Sequence, residues 1–173
     1  MTSFLLNDRL APITSNFGFV ECDLETTVEW FFKWSSAIQR DRGVLLTKRA
    51  AVGSLEKKLR ALVPLTSVEA RRFLFLPTRS KWTACFDSGW QGADGAWLSV
   101  AALDLKARAI RAVAIPDSMG TRPGQAKKGR LGGTIFELYG PDETSFLNCE
   151  RSIGAPRTIW RSSRLSRCAL EMG

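Results

Sequence analysis

Hydrophobic and polar positions recur with two different periods along this chain, and each change of period marks an element. Residues 13–20 (ITSNFGFV) end in a β-favouring run ahead of Glu21 and Asp23, which predicts a strand. From Leu24 the period lengthens. Leu24, Val28, Phe31, Phe32, Ser35 and Ile38 share one helical face, while Glu25, Glu29, Lys33, Ser36 and Arg40 share the opposite one. Asp23 is suited to cap this helix and Gly43 to stop it. Trp30, Trp34 and Ala37 widen the apolar face, so two neighbours rather than one are expected to cover it.

VLLTK at 44–48 reads as a strand. A second helix follows, capped by Ser54, with Leu55, Leu59 and Leu62 at helical spacing and Pro64 as its end. RRFLFLPTRS at 71–80 and KWTACFDSGWQG at 81–92 predict two strands around a bend too short for a crossover, hence antiparallel. Residues 96–108 are apolar nearly all round, through Trp97, Leu98, Val100, Leu103 and Leu105, as in a buried helix. They feed IRAVAIP at 110–116, a run typical of a central strand. Residues 117–133, with five glycines and four basic residues, read as a long loop. TIFELYG at 134–140 alternates, with Ile135, Glu137 and Tyr139 on one face, and FLNCERSI offers a last strand.

These elements define an α+β single domain over residues 1–153, built as a mixed, mainly antiparallel sheet of five to seven strands with three helices. Residues 154–173 form a basic tail. The stretch 151–170 holds five Arg and four Ser without an acidic residue, and reads equally as a solvated arm or as a frameshifted C-terminus.

The chain contains no histidine, which removes the commonest general base and the commonest metal ligand together. Ser-His-Asp, Cys-His and His-zinc chemistries are excluded, so an enzyme here would be histidine-free, with Asp87, Asp94 or Glu137 as its carboxylates. Cys22, Cys85, Cys149 and Cys168 include no C-x-x-C pair and read as free thiols of a reducing cytoplasm, with neither metal nor cofactor implied. The glycine- and lysine-rich loop at 120–133 lacks a Gly-Lys-Ser/Thr and leads into a strand, so it fails as a P-loop. No apolar run is long enough to cross a bilayer.

The net charge of +8 is uneven, because residues 31–82 carry twelve basic against three acidic residues. Lys48, Arg49, Lys57, Lys58, Arg71, Arg72, Arg79 and Lys81 form a zone able to follow phosphates, joined by Lys127, Lys128 and Arg130 of the long loop. Six tryptophans in a chain without catalytic equipment suit recognition instead. Trp30, Trp34, Trp82 and Trp90 are the candidate partner contacts, although Trp30 and Trp34 read first as flanking the core against a sheet.

The strings ITSNFGFV, LPTRSKWTACFDSGWQG and TIFELYG, in this order, resemble those of a family of small bacterial proteins with no established activity, over about residues 5–153. The resemblance implies a bacterial cytoplasmic protein and carries over no site residue. The leading expectation is a non-catalytic protein-interaction module, immunity-like or adaptor, whose partner is another protein. Nucleic-acid binding through residues 48–81 and histidine-free catalysis are the alternatives, and oligomeric state stays open.

Overall fold

A computed structural model describes residues 5–66, 71–89, 95–115, 132–142 and 152–154. After a 3-10 turn at Leu5–Asp8, the chain forms β1 (Asn16–Val20), α1 (Leu24–Arg40) and α2 (Leu55–Arg60). Strands β2 (Phe73–Pro77) and β3 (Thr83–Asp87) follow, then α3 (Ala96–Asp104), β4 (Ala109–Ile115), β5 (Gly133–Tyr139) and β6 (Ser152–Gly154). The six strands make one sheet in the order β2-β3-β1-β4-β5-β6. Among the described residues every strand pair is antiparallel, and parallel pairing is limited to an isolated bridge between Thr66 and Gly89. The α+β class, the three helices and a strand number between five and seven all match the sequence reading.

Both faces of the sheet are covered. On one, α1 and α3 bury Phe31, Trp97, Leu98, Ala101 and Ala102 against Val20, Cys85 and Ala109. On the other, Leu10, Ile13, Leu59 and Leu62 close over Leu74, Ala84 and Phe86. Strand alternation divides the side chains between the two cores: Phe73 and Phe75 face α1 and α3, whereas Leu74 and Leu76 face Leu59.

The helices begin where local chemistry places them. Asp23 accepts a hydrogen bond from the Thr26 amide at 2.9 Å, and Ser54 from the Lys57 amide at 3.3 Å, each satisfying an orphan donor of a first turn. Gly43, at φ +68°, lies just past α1 in the left-handed conformation that glycine adopts freely. Trp30 and Trp34 take their places beside the core, stacked on each other at 5.6 Å with 14° between their planes. The Trp30 indole N–H donates to Asp104 at 3.0 Å, tying α1 to the end of α3.

One predicted strand is absent. Residues 44–48 join no sheet: Val44 donates back to Gln39 at the end of α1, and Leu45 stands 87% exposed. Its composition favours a strand, but a strand exists only where a second strand supplies its hydrogen bonds. The predicted loop at 117–133 falls outside the described residues up to 131, and Gly133 already belongs to β5. Of the last predicted strand, Ser152 and Ile153 lie in β6, while 146–151 and the tail beyond 154 lie outside the described residues.

Candidate functional site

The clearest surface feature lies between the end of α1 and the turn after α2. The exposed large hydrophobics among the described residues are Ile38, Val44, Leu45, Val52, Leu55 and Val63, so all six fall within 38–63. Leu45 and Val52 are 87% and 74% exposed. Scattered exposed apolar residues are ordinary, and what distinguishes these is that they fall in one stretch of the sequence.

That stretch has a defined frame. Gly43 at φ +68° and Gly53 at φ +108° bracket it, and a Cβ at Gly43 would meet nothing, so backbone conformation alone calls for glycine there. Among the described residues, no backbone group from 45 to 53 hydrogen-bonds to another backbone group. The segment is held by a side chain instead: Lys48 pairs with Glu29 of α1 and its ammonium lies 5.8 Å from the Phe32 ring centre. Seven basic residues against two acidic ones occupy 38–63. Of these, Arg60 is paired with Glu56 at 2.8 Å, while Arg49, Lys57 and Lys58 form no ion pair among the described residues.

Of the remaining predicted cations among the described residues, Arg71, Arg72 and Lys81 are engaged within the fold. Lys81 binds Glu21 at 2.7 Å and Arg71 approaches Asp87 at 3.8 Å. Arg72 donates to the carbonyl oxygens of Val63, at 3.2 Å, and Pro64. Arg79 lies exposed between β2 and β3. Trp82 lies under the Arg108 guanidinium, 5.7 Å from its ring centre. Trp90, Lys127, Lys128 and Arg130 lie outside the described residues.

A second polar group, largely missed by sequence reasoning, lies on the α3 side of the sheet. Arg111 of β4 stands opposite Glu137 of β5 and donates to its carboxylate at 3.3 Å, while the Tyr139 hydroxyl donates to the same oxygen at 2.9 Å. Arg111 also reaches Asn16 of β1 at 3.3 Å. A Cβ on Gly95, ahead of α3, would sit 2.6 Å from the Arg111 Cδ, so glycine lets the helix close over the arginine. The signal was present in sequence as a lone Arg inside the apolar run of β4, on the face that alternation turns inward.

Asp87 ends β3 on this face, 3% exposed, with one oxygen accepting from the Gly89 amide at 2.8 Å and the other without a hydrogen-bond partner among the described residues. It does not converge with Glu137. Strands β1 and β4 lie between them, roughly 14 Å of sheet at the usual strand spacing, too far for two carboxylates to work on one bond. Asp94 lies outside the described residues.

Glu21 is held by Arg108 and Lys81, whose hydrogen bonds keep its carboxyl well below the usual range, at about 2. Burial pushes the Cys85 thiol up, and so suits it to packing rather than to nucleophilic chemistry.

The class defined by this fold is an α+β domain with a six-stranded antiparallel sheet covered on both faces. No protein-family model, curated protein or solved structure matches the chain. No helix among the described residues is long and apolar enough to cross a membrane.

Proposed function

We propose that this chain is a non-catalytic protein-interaction module that meets its partner through the surface formed by residues 38–63. The observation carrying this reading is that, among the described residues, all six exposed large hydrophobics fall within that stretch. Apolar side chains left in water, where no aromatic among the described residues is exposed, are best accounted for by a partner that covers them. Among the described candidates, Asp87 and Glu137 stand on β3 and β5, apart from one another, and form no common centre. The cationic zone favours nucleic acid less than protein, because Lys48, Arg71, Arg72 and Lys81 are each engaged internally.

An immunity-like or adaptor role in the bacterial cytoplasm accords with this reading. Free thiols at Cys22 and Cys85 suit a reducing compartment, and a basic docking surface calls for an acidic partner. The test is photo-crosslinking in a lysate of the source organism, with a benzophenone residue placed at position 45, 52 or 79. The expected result is one stoichiometric protein adduct through 45 and 52 but not through 79 on the β2–β3 turn. No adduct at 45 or 52, or the same adducts from all three, would overturn the proposal.

A further inference from the structure

Resting on the interaction reading, we propose that the partner also supplies an extended segment that joins the sheet as an antiparallel strand along the outer edge of β2, an apolar run ending in acidic residues beside Arg71. Strand β2 ends the sheet, with β3 as its one strand neighbour among the described residues. The register decides which of its backbone groups are open. The Arg72 carbonyl accepts from the Ser88 amide at 3.0 Å and the Thr78 amide donates to Trp82 at 3.1 Å, so the even-numbered residues of β2 turn their amides and carbonyls toward β3. Phe73 and Phe75 therefore turn theirs outward, where no described residue bonds them. Such a row of donors and acceptors, on a strand already formed, is what strand addition uses.

This edge adjoins the 38–63 surface. On one face of β2 lies α1, with the ring centroid of Phe31 4.7 Å from that of Phe73 and 5.0 Å from that of Phe75, and on the other Leu59 of α2 shares a core with Leu74. Residues 38–63 thus run from one side of β2 to the other. Val63, 50% exposed, is held at the start of β2, where its carbonyl accepts from Arg72 at 3.2 Å. The side chains of β2 are already packed on both faces, so a strand can add without rearranging the core, and the loss of conformational freedom falls on the incoming segment.

The residues along the edge select the occupant. Phe73, Leu74, Phe75 and Leu76 make it apolar on both faces, so the segment laid beside it is apolar on both faces as well. That segment stops short of Arg79, because Pro77 takes the next outward position and has no amide to offer. At the other end Arg71 keeps its side chain 34% exposed, 3.8 Å from Asp87, whereas Arg72 is engaged by the Val63 and Pro64 carbonyls. An antiparallel segment brings its C-terminal residues to Arg71, and a carboxylate there is attracted. A second copy paired through the same edge supplies none, since residues 71–81 hold four cations and no acidic residue.

The probe is the fluorescein-labelled peptide Val-Ile-Val-Thr-Glu-Glu, compared with one carrying lysine for both glutamates and one carrying proline for isoleucine and threonine. Binding to the full chain is read by fluorescence anisotropy and by residue-resolved amide hydrogen exchange. In the free chain the amides of Phe73 and Phe75 are expected to exchange about ten-fold or more faster than those of Leu74 and Leu76, and the glutamate peptide to slow the first pair to the rate of the second. Arg71→Glu is expected to weaken the glutamate peptide about five-fold and to reverse its preference over the lysine peptide. Equal binding of the glutamate and lysine peptides, undiminished binding of the proline peptide, no binding by any of them, or binding that leaves Phe73 and Phe75 exchanging as before would overturn the proposal. So would Phe73 and Phe75 amides as slow as those of Leu74 and Leu76 in the dilute free chain, or protection of them that rises with protein concentration in the absence of peptide, since the occupant would then be a second copy. If positions 45 and 52 crosslink a partner in whose complex Phe73 and Phe75 exchange as in the free chain, the strand inference fails and the interaction reading survives. If neither position crosslinks anything, the interaction reading itself fails.

Discussion

Arg108 meets Glu21 through two nitrogens, Nε to Oε2 at 2.5 Å and Nη2 to Oε1 at 2.6 Å, and the Glu21 amide donates to the Arg108 carbonyl at 2.8 Å. This joins the end of β1 to the residue preceding β4 across 87 positions of sequence. Lys81 adds a third contact to the same carboxylate from just ahead of β3. Three neighbouring strands are thus pinned at one end by a single side chain, with the Arg108 guanidinium set over Trp82.

The pair predicts a specific loss of stability in acid. Glu21 titrates at about 2 in the folded chain against 4.5 ordinarily. A depressed carboxyl pKa stabilises the fold fully above the ordinary value and ceases to do so as pH falls through the folded one. In urea unfolding, the advantage of the wild-type chain over Glu21→Gln should therefore be constant above about pH 5 and shrink between about 4.5 and 2. An advantage independent of pH across that window would assign the role of Glu21 to shape rather than charge.

Gly18 sits where β1 passes beneath α3, and a Cβ there would lie 2.7 Å from the Cys85 Sγ and 2.8 Å from the Leu98 Cδ1. Gly18→Ala should cost about 1–3 kcal/mol, the usual penalty for forcing a methyl into a packed core. Cys85→Ala removes one of the two obstructing atoms, so the alanine at 18 should cost less in that background than in the wild type. Strictly additive effects in a double-mutant cycle would mean that the helix, rather than the sulfur, sets the limit.

Much of this architecture was legible because its causes are local. Asp23 and Ser54 cap the helices they precede through amides three residues on, and β2 and β3 are joined too closely for anything but antiparallel pairing. The site was less legible, because its causes are distant in sequence. Strand β1 lies between β3 and β4, so Asn16 meets Arg111 only through a sheet order that no periodicity specifies. Residues 44–48 show the converse, a local preference whose partner the fold does not contain.

The turn after α3 holds a residue of the wrong type for its conformation. Lys106 adopts φ 51° directly after the helix cap. Its amide donates to Leu103 at 3.4 Å, and the Ala107 amide to Ala102 at 3.1 Å, the paired bonds of a Schellman ending in which glycine is favoured at this position. Lys106→Gly should stabilise the chain by about 1 kcal/mol by removing the steric cost of a side chain in the left-handed region. A loss of stability in thermal or urea unfolding would show that the lysine side chain makes a compensating contact.

If residues 38–63 serve a partner rather than the fold, their leucines must divide into two kinds. Leu59 is fully buried at the centre of the second core, whereas Leu45, fourteen positions earlier, is 87% exposed. Leu59→Ala should cost about 2–5 kcal/mol, the transfer energy of the lost groups together with that of the cavity they leave. Leu45→Asp should change stability by no more than about 0.5 kcal/mol, as a surface substitution does, while making the isolated chain less prone to self-association at high concentration. Measured by denaturant midpoint and by light scattering, that separation would show that Leu45 is kept apolar for something outside the fold. A Leu45→Asp chain destabilised as much as Leu59→Ala would mean that the segment folds back onto the body of the protein, and the surface proposed for the partner would not exist.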